Sequence, residues 1–318
     1  MTEGDQVGRP AHTSAGMPDF VVIGAQKSAS TFLQDQLAQH PAIEIAEGEV
    51  RYFEDPFYSP EAVATLPELF SSPVGSTLRG IKRPDYLGHP EVPARLHEYL
   101  PDARLLVVIR EPVARAVSAY YHYVRHGFAP LMPLDEAFEA LVAGTLTARY
   151  PRSAEVLDYG LYGKHLSRYL EHYPVEQLKV FEQKTLTAQP EPSLRSAFEF
   201  LGVDTSFVPD TTSYVSNKGV YSPFRLRLLR TKNRFVYDYS ADLRLRRPRK
   251  PSPLGWAYNA AVVGLDRTVL SRFDDGRPPA LSARARAQLE EFYAQDRQAL
   301  EPILAQQGVT APWLSRSA

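Results

Sequence analysis

The chain contains no cysteine. That absence excludes a disulfide framework, a thiolate zinc site and a cysteine nucleophile, and it fits a reducing compartment. Long apolar runs are missing too. The longest after the N-terminus, Trp256 to Leu265, is too short for a membrane span and is followed at once by Asp266 and Arg267. Residues 1–18 are rich in Gly, Ser, Thr and Pro and hold no apolar stretch of the signal-peptide kind, so they read as a disordered leader. A cytoplasmic chain is the simplest expectation. Net charge is also nearly absent: 36 Lys and Arg stand against 37 Asp and Glu, a total of −1. Nothing global therefore calls for a nucleic-acid partner or an acidic tail. The hydrophobic share of 44% is enough to bury a sizeable core, which excludes disorder throughout the 318 residues.

Phe20-Val-Val-Ile-Gly24 is a short apolar run, rich in β-branched residues, that ends at glycine, as a buried parallel strand does. From Ser30 the spacing turns helical, with Phe32, Leu33, Leu37 and Ala38 apolar until His40-Pro41 stops it. Arg104 to Ile109 predicts a second buried strand, followed by Arg110-Glu111-Pro112 and a helix carrying Val113, Ala116, Val117 and Tyr120. A helix over about 163–172 precedes a third strand, Leu178 to Phe181. Alternating strands and helices imply a parallel sheet covered on both faces. A long amphipathic helix from Ser282 to Gln306 carries Leu289, Phe292, Tyr293, Leu300 and Leu304.

The first strand-to-helix loop, Gly24-Ala-Gln-Lys27-Ser-Ala-Ser30-Thr31, sets a lysine and hydroxyls at a helix N-terminus. Amide N–H groups there favour an anion, and the lysine adds a full charge. A phosphate-like group fits. The loop is not a Walker A motif, which needs a second glycine directly before Lys-Ser/Thr.

On these residues the chain resembles the sulfotransferases that use 3′-phosphoadenosine 5′-phosphosulfate. Gly24, Lys27, Ala29, Ser30, Thr31 and Leu33 match that family's first loop. Arg110, Glu111, Pro112 and Ser118 match its second signature, an arginine ending a strand and a serine on the next helix. Arginine can grip a phosphate with a bidentate fork, and the serine hydroxyl can reach the same group. The glycan-modifying branch is the more similar one: Glu49 to Phe53, Lys82-Arg83-Pro84-Asp85-Tyr86 and Asn217-Lys218-Gly219-Val220-Tyr221 resemble its segments, and so does the ending at Trp313. The likeness runs over 19–223 and 280–314. It departs at Ala29, where glycine is common, and at Arg51, where related glycan enzymes often carry histidine.

The resemblance implies a single α/β domain over 19–318, with a central parallel sheet flanked by helices in the P-loop NTPase-like sulfotransferase fold. It implies sulfuryl transfer from the donor to a hydroxyl of a glycan, glycolipid or glycosylated small molecule, without a metal. Gln26, Lys27, Ser28, Ala29, Ser30 and Thr31 would cradle the 5′-phosphate, and Lys27 would stabilise the leaving oxygen. Arg110 and Ser118 would hold the 3′-phosphate, Lys218 and Gly219 would cover the nucleotide, and Tyr162 would sit on the adenine side. Glu49 would take the acceptor proton, with Glu47, Glu54, His122 and His126 as alternatives, and Lys82 would contact the sulfuryl group or orient Glu49. A P-loop kinase and a non-catalytic nucleotide- or glycan-binding protein are the competing classes.

The stretch 224–250 holds ten basic residues and two acids, a net of +8 that leaves −9 for the rest of the chain. It belongs to an insertion over 224–279 before the C-terminal helix. It reads either as a solvated charged face or as an acceptor-side element that recruits an anionic acceptor or an anionic membrane surface.

Overall fold

The computed structural model describes residues 15–212, 219–250, 252–274 and 276–314. In chain order the elements are β1 (Phe20–Gly24), α1 (Ser30–Leu37), β2 (Ile43–Ile45), β3 (Leu78–Lys82), α2 (Val92–Tyr99), β4 (Arg104–Ile109), α3 (Pro112–His126) and α4 (Leu134–Val142). They continue with α5 (Tyr162–Leu170), β5 (Leu178–Glu182), α6 (Pro190–Leu201), α7 (Pro223–Val236), the strands β6 (Tyr237–Tyr239) and β7 (Arg246–Pro248), α8 (Pro253–Thr268) and α9 (Ala283–Gln306).

Strands β2-β3-β1-β4-β5 form one all-parallel sheet in that order. Every residue of β1 is buried, because side chains alternate between two covered faces. Val21 and Ile23 join Ile81, Leu105, Val107 and the ring of Tyr162 under α5 and α9, whereas Phe20 and Val22 join Leu33, Leu106, Val108 and Phe198 under α1 and α6. The chain leaves β1 between neighbours reached in opposite directions, β3 and β4, which opens a crevice at the strands' carboxyl ends.

The strands read from apolar runs stand where the sequence places them, with β5 one residue longer. Strands β2 and β3 were not legible that way. β3, Leu-Arg-Gly-Ile-Lys, buries two cations: Arg79 donates to the carbonyls of Gly16 and Ser72, and Lys82 turns toward the crevice. Of the stretch read as a leader, Met17 packs against the core and Pro18 is buried, and residues 1–14 lie outside the described residues.

The insertion is not merely a solvated face. Helix α7 buries Leu226 and Leu229 against α3, Asn233 donates to the Arg125 carbonyl, and Tyr239 donates to that of His126. Arg225 is buried in ion pairs with Asp266 and Asp274 at 2.8 and 2.6 Å.

The C-terminal helix α9 is capped by Ser282, whose Oγ accepts from Ala285 N. It locks to α5 through Asp296, whose carboxylate accepts from the amides of Gly163 and Lys164 in the first turn of α5. No side chain fits between the two helices: a Cβ on Gly163 would lie 2.5 Å from the Asp296 carbonyl oxygen and 2.9 Å from Leu300 N. Because both obstacles are backbone, Gly163→Ala is expected to lower stability by about 1–3 kcal/mol. Thermal denaturation checks this, and an unchanged Tm would contradict the packing.

Candidate active site

A cavity of about 530 Å3 opens at the carboxyl ends of the strands. The loop after β1 gives it Gln26, Lys27, Ala29, Ser30 and Thr31, the segment after β2 gives Glu49 and Arg51, and the turn after β3 gives Arg83, Pro84 and Asp85. Arg110 comes from the end of β4, Ser118, His122 and His126 from α3, Gln183 from the end of β5, and Arg246 from β7.

The loop reaches its shape through two residues in the left-handed region, Lys27 (φ 67°) and Ala29 (φ 72°). Ala29 occupies the position where glycine is common in the resembling loops, and this backbone explains that preference. As the residue preceding α1, it has no side-chain oxygen to cap the helix. An anion at this terminus would meet amides that no cap competes for.

Lys27 is half-buried, and burial, followed by repulsion from Arg110 and Arg125, pulls its pKa down to about 8. The Arg110 guanidinium donates to the Lys27 carbonyl at 3.2 Å. Among the described residues, no carboxylate forms an ion pair with Lys27 or Arg110, although both line the cavity. Ser118, two turns along α3 from the Arg110 end, lines it too.

Further along the same face of α3, His122 and His126 stack with ring centroids 4.3 Å apart. Arg246 donates to His126 Nδ1 at 2.5 Å while its guanidinium lies over the Tyr237 ring. Burial, with Arg246 and Arg125 next, pushes the His126 pKa down to about 3, and burial with neighbouring cations lowers that of His122 as well. Both imidazoles are neutral at pH 7.

The turn after β3 organises the other wall. Arg83 binds Glu54 with Nε and Nη2 at 2.7 Å each, Glu49 with Nη1, and Asp85 with Nη2 at 2.8 Å. Burial opposes these charges, yet Arg83 and Arg152 hold the Asp85 carboxyl below its usual range. Asp85 also accepts from Gln26 Nε2 at 2.9 Å, which ties the β1 loop to this cluster. Arg152 in turn pairs with Glu155 at 2.7 Å, and Glu155 accepts from the Tyr123 hydroxyl.

Of the residues singled out in the sequence, Gln26, Lys27, Ala29, Ser30, Thr31, Glu49, Arg110, Ser118 and Gly219 line this one cavity. Ser28 does not: it is fully buried beneath the loop. Tyr162 is corrected from an adenine-side residue to a strut, fully buried, its hydroxyl accepting from Arg110 N at 3.3 Å. Lys82 is buried behind the wall, with Nζ 3.0 Å from Thr31 Oγ1 and 3.9 Å from Glu49. It thus sits between the β1 loop and Glu49, within reach of both. Glu49 itself is 41% exposed at the rim. Asn217 and Lys218 lie outside the described residues. Arg83, Asp85 and Arg152 have no role assigned from sequence, and Arg246 enters there only as part of the basic stretch 224–250. The first two sit inside the Lys82–Tyr86 segment, where an Arg-Pro-Asp step at a strand end was the available signal.

The sequence profile of the family described as "Sulfotransferase domain" matches residues 17–221. The chain is 27% identical over 207 residues to the heparan sulfate glucosamine 3-O-sulfotransferase 5 of Homo sapiens, which covers 64% of this chain and 59% of that protein. It is 29% identical over 191 residues to heparan sulfate glucosamine 3-O-sulfotransferase 3B1 of Mus musculus, covering 60% and 47%. The chain thus spans roughly half the length of these curated relatives. A sulfotransferase structure from Alicyclobacillus acidocaldarius superposes with a TM-score of 0.63 at 22% identity, over 94% of this chain and 99% of that one, which shows the shared fold.

Replacing Arg83 by methionine would leave Glu49, Glu54 and Asp85 facing one another with their shared cation gone. Such uncompensated charge costs about 3–5 kcal/mol. The carboxylates would then bind protons more tightly folded than unfolded, so the loss is largest at pH 7–8 and shrinks as the pH falls toward 5. Thermal denaturation of Arg83→Met across that range checks the sign; a penalty that grows on acidification would contradict it.

Proposed function

Since the chain belongs to the sulfotransferase family, we propose that it transfers a sulfuryl group from 3′-phosphoadenosine 5′-phosphosulfate to a hydroxyl of a glycan or glycan-bearing molecule. One observation carries the reading: Lys27 with the bare N-terminus of α1, and Arg110 with Ser118, are two anion-binding groups on adjacent strands that line one cavity without a carboxylate partner among the described residues. A nucleotide phosphorylated at both its 5′ and 3′ ends suits that pair. The curated relatives named above act on heparan sulfate glucosamine, which supports a sugar acceptor.

The donor, when bound, supplies an activated sulfuryl group and departs as adenosine 3′,5′-bisphosphate. Ser30, Thr31 and the first amides of α1 hold its 5′-phosphate, and the Lys27 ammonium stabilises the charge that grows on the bridging oxygen. Arg110 and Ser118 hold the 3′-phosphate and Gly219 lies over the nucleotide. Glu49 accepts the proton from the attacking hydroxyl; Lys82 and Arg83 fix its carboxylate in place. The new bond joins acceptor oxygen to sulfur as the bond from sulfur to the 5′-phosphate oxygen breaks. His122, His126 and Arg246 form the rest of the wall that receives the acceptor.

Adenosine 3′,5′-bisphosphate is expected to raise the Tm, and Mg-ATP is not, which separates this reading from a kinase. Lys27→Ala should cut transfer by about 100- to 1,000-fold. Arg110→Ala should abolish the bisphosphate shift in a folded protein. Stabilisation by Mg-ATP alone, or full transfer by Lys27→Ala, would overturn the assignment. Bisphosphate that binds well while no acceptor in a broad panel is sulfated would favour a non-catalytic binding protein.

The Lys27 pKa of about 8 gives a pH test. A bound phosphate raises that pKa, so affinity is full below about 8 and falls as the pH rises above it, by up to tenfold per unit. Isothermal titration between pH 7 and 9 measures the slope. Lys27→Arg, which stays charged, should remove it; an equal slope in both proteins would place the titration elsewhere.

A further inference from the structure

Helix α8 carries no charged residue before Asp266 and buries only Gly255, Val262 and Asp266. It leaves Leu254 84%, Trp256 65% and Leu265 45% exposed. Trp256 and Leu265 edge an outward face made of exposed Ala257, Ala260, Ala261 and Gly264, and past the helix Val269 and Phe273 are exposed too, the latter 84%. Helix α7 runs beside α8 in the opposite sense, since Arg225 at its start pairs with Asp266 and Phe235 at its end packs against Tyr258, ring centroids 5.0 Å apart. It adds exposed Phe224 and Phe235 to the same hairpin. Exposed apolar side chains concentrated on one hairpin point to a docking face.

The flanks of that face are basic. Arg247, Arg249 and Lys250 precede α8, Arg267 and Arg272 follow its apolar stretch, and Arg234 projects from α7, all exposed. Of the nearby acids, Asp266 and Asp274 are committed to Arg225 and Asp238 offsets Arg249, which leaves Arg234, Arg247, Lys250, Arg267 and Arg272 in excess. A second copy seated face to face would set this positive rim against itself. A layer of acidic lipid headgroups over hydrocarbon complements both features at once.

We infer that the α7–α8 hairpin docks the protein onto an anionic lipid bilayer, with α8 lying in the headgroup plane and Leu254, Trp256, Leu265 and Phe273 entering it. The contact is peripheral, since no helix among the described residues is long and apolar enough to cross a membrane. The docking face borders the cavity: Arg246, adjacent to Arg247, and Gly276, three residues beyond Phe273, both line it. A bilayer seated on α8 therefore lies beside the wall that receives the acceptor.

The test uses the full chain and vesicles of phosphatidylcholine with about one-third phosphatidylglycerol, against phosphatidylcholine alone. The chain has two tryptophans, and Trp313 is buried, so a blue shift in emission on adding vesicles reports Trp256 leaving water. The expected result is co-sedimentation with the anionic vesicles, weakened by salt, together with that shift. Trp256→Ser combined with Phe273→Ser, and separately Arg247→Glu with Arg249→Glu, should each reduce the bound fraction about tenfold. An unchanged Tm in these variants shows that they remain folded. No binding, binding that the variants leave intact, or a lipid-free dimer that the same substitutions dissociate would each overturn the inference, the last by assigning the face to a second copy.

Discussion

Three carboxylates converge on one buried guanidinium, and the geometry of the cavity depends on it. Arg83 sits just past the end of β3 and holds Glu54, Glu49 and Asp85 together. Through Asp85 the constraint reaches Gln26 in the loop after β1, and through Arg152 and Glu155 it reaches Tyr123 on α3. A planar fork with five donors is the side chain suited to this work; a lysine could not satisfy two faces of one cluster and a third partner besides. The result is one wall whose acids are fully engaged.

That arrangement leaves the rest of the cavity free to be positive. Lys27 and Arg110 face each other's charge without a counter-ion among the described residues, and burial first, then the surrounding cations, lowers the pKa of His122 and His126 beside them. Such a site is electrostatically unfavourable when empty, and a polyanion relieves it. The loop that carries Lys27 also holds two non-glycine residues, Lys27 and Ala29, in the left-handed region, a cost that backbone strain at functional sites commonly carries. The near-zero net charge thus conceals a division of labour between an acidic scaffold and a basic working face.

Much of this was legible in the residues. β1, β4 and β5 show themselves because a parallel sheet buried on both faces must be continuously apolar, and the loop and Arg110-Glu-Pro signatures follow directly from strand ends. β3 escaped because Arg79 and Lys82 are buried by hydrogen bonds that no periodicity records. Tyr162 was misplaced for a related reason: the sequence sets it next to a helix start but does not say whether its hydroxyl faces the cavity or supports the loop from below. The Arg83 cluster joins segments far apart in the chain, so its partners become visible only when the fold brings them together. Helix α8 read as a short apolar run in sequence, and only its lack of cover in the fold gives that run a meaning.

The account rests on a nucleotide lying in one direction across the crevice, 5′ end at the β1 loop and 3′ end at the β4 arginine. A crystal structure with adenosine 3′,5′-bisphosphate tests that most directly. The expected density has the 5′-phosphate on the amides of Ser30 and Thr31 with Lys27 beside it, and the 3′-phosphate on Arg110 and Ser118. A nucleotide bound in the reverse direction, or bound outside this cavity, would contradict the account.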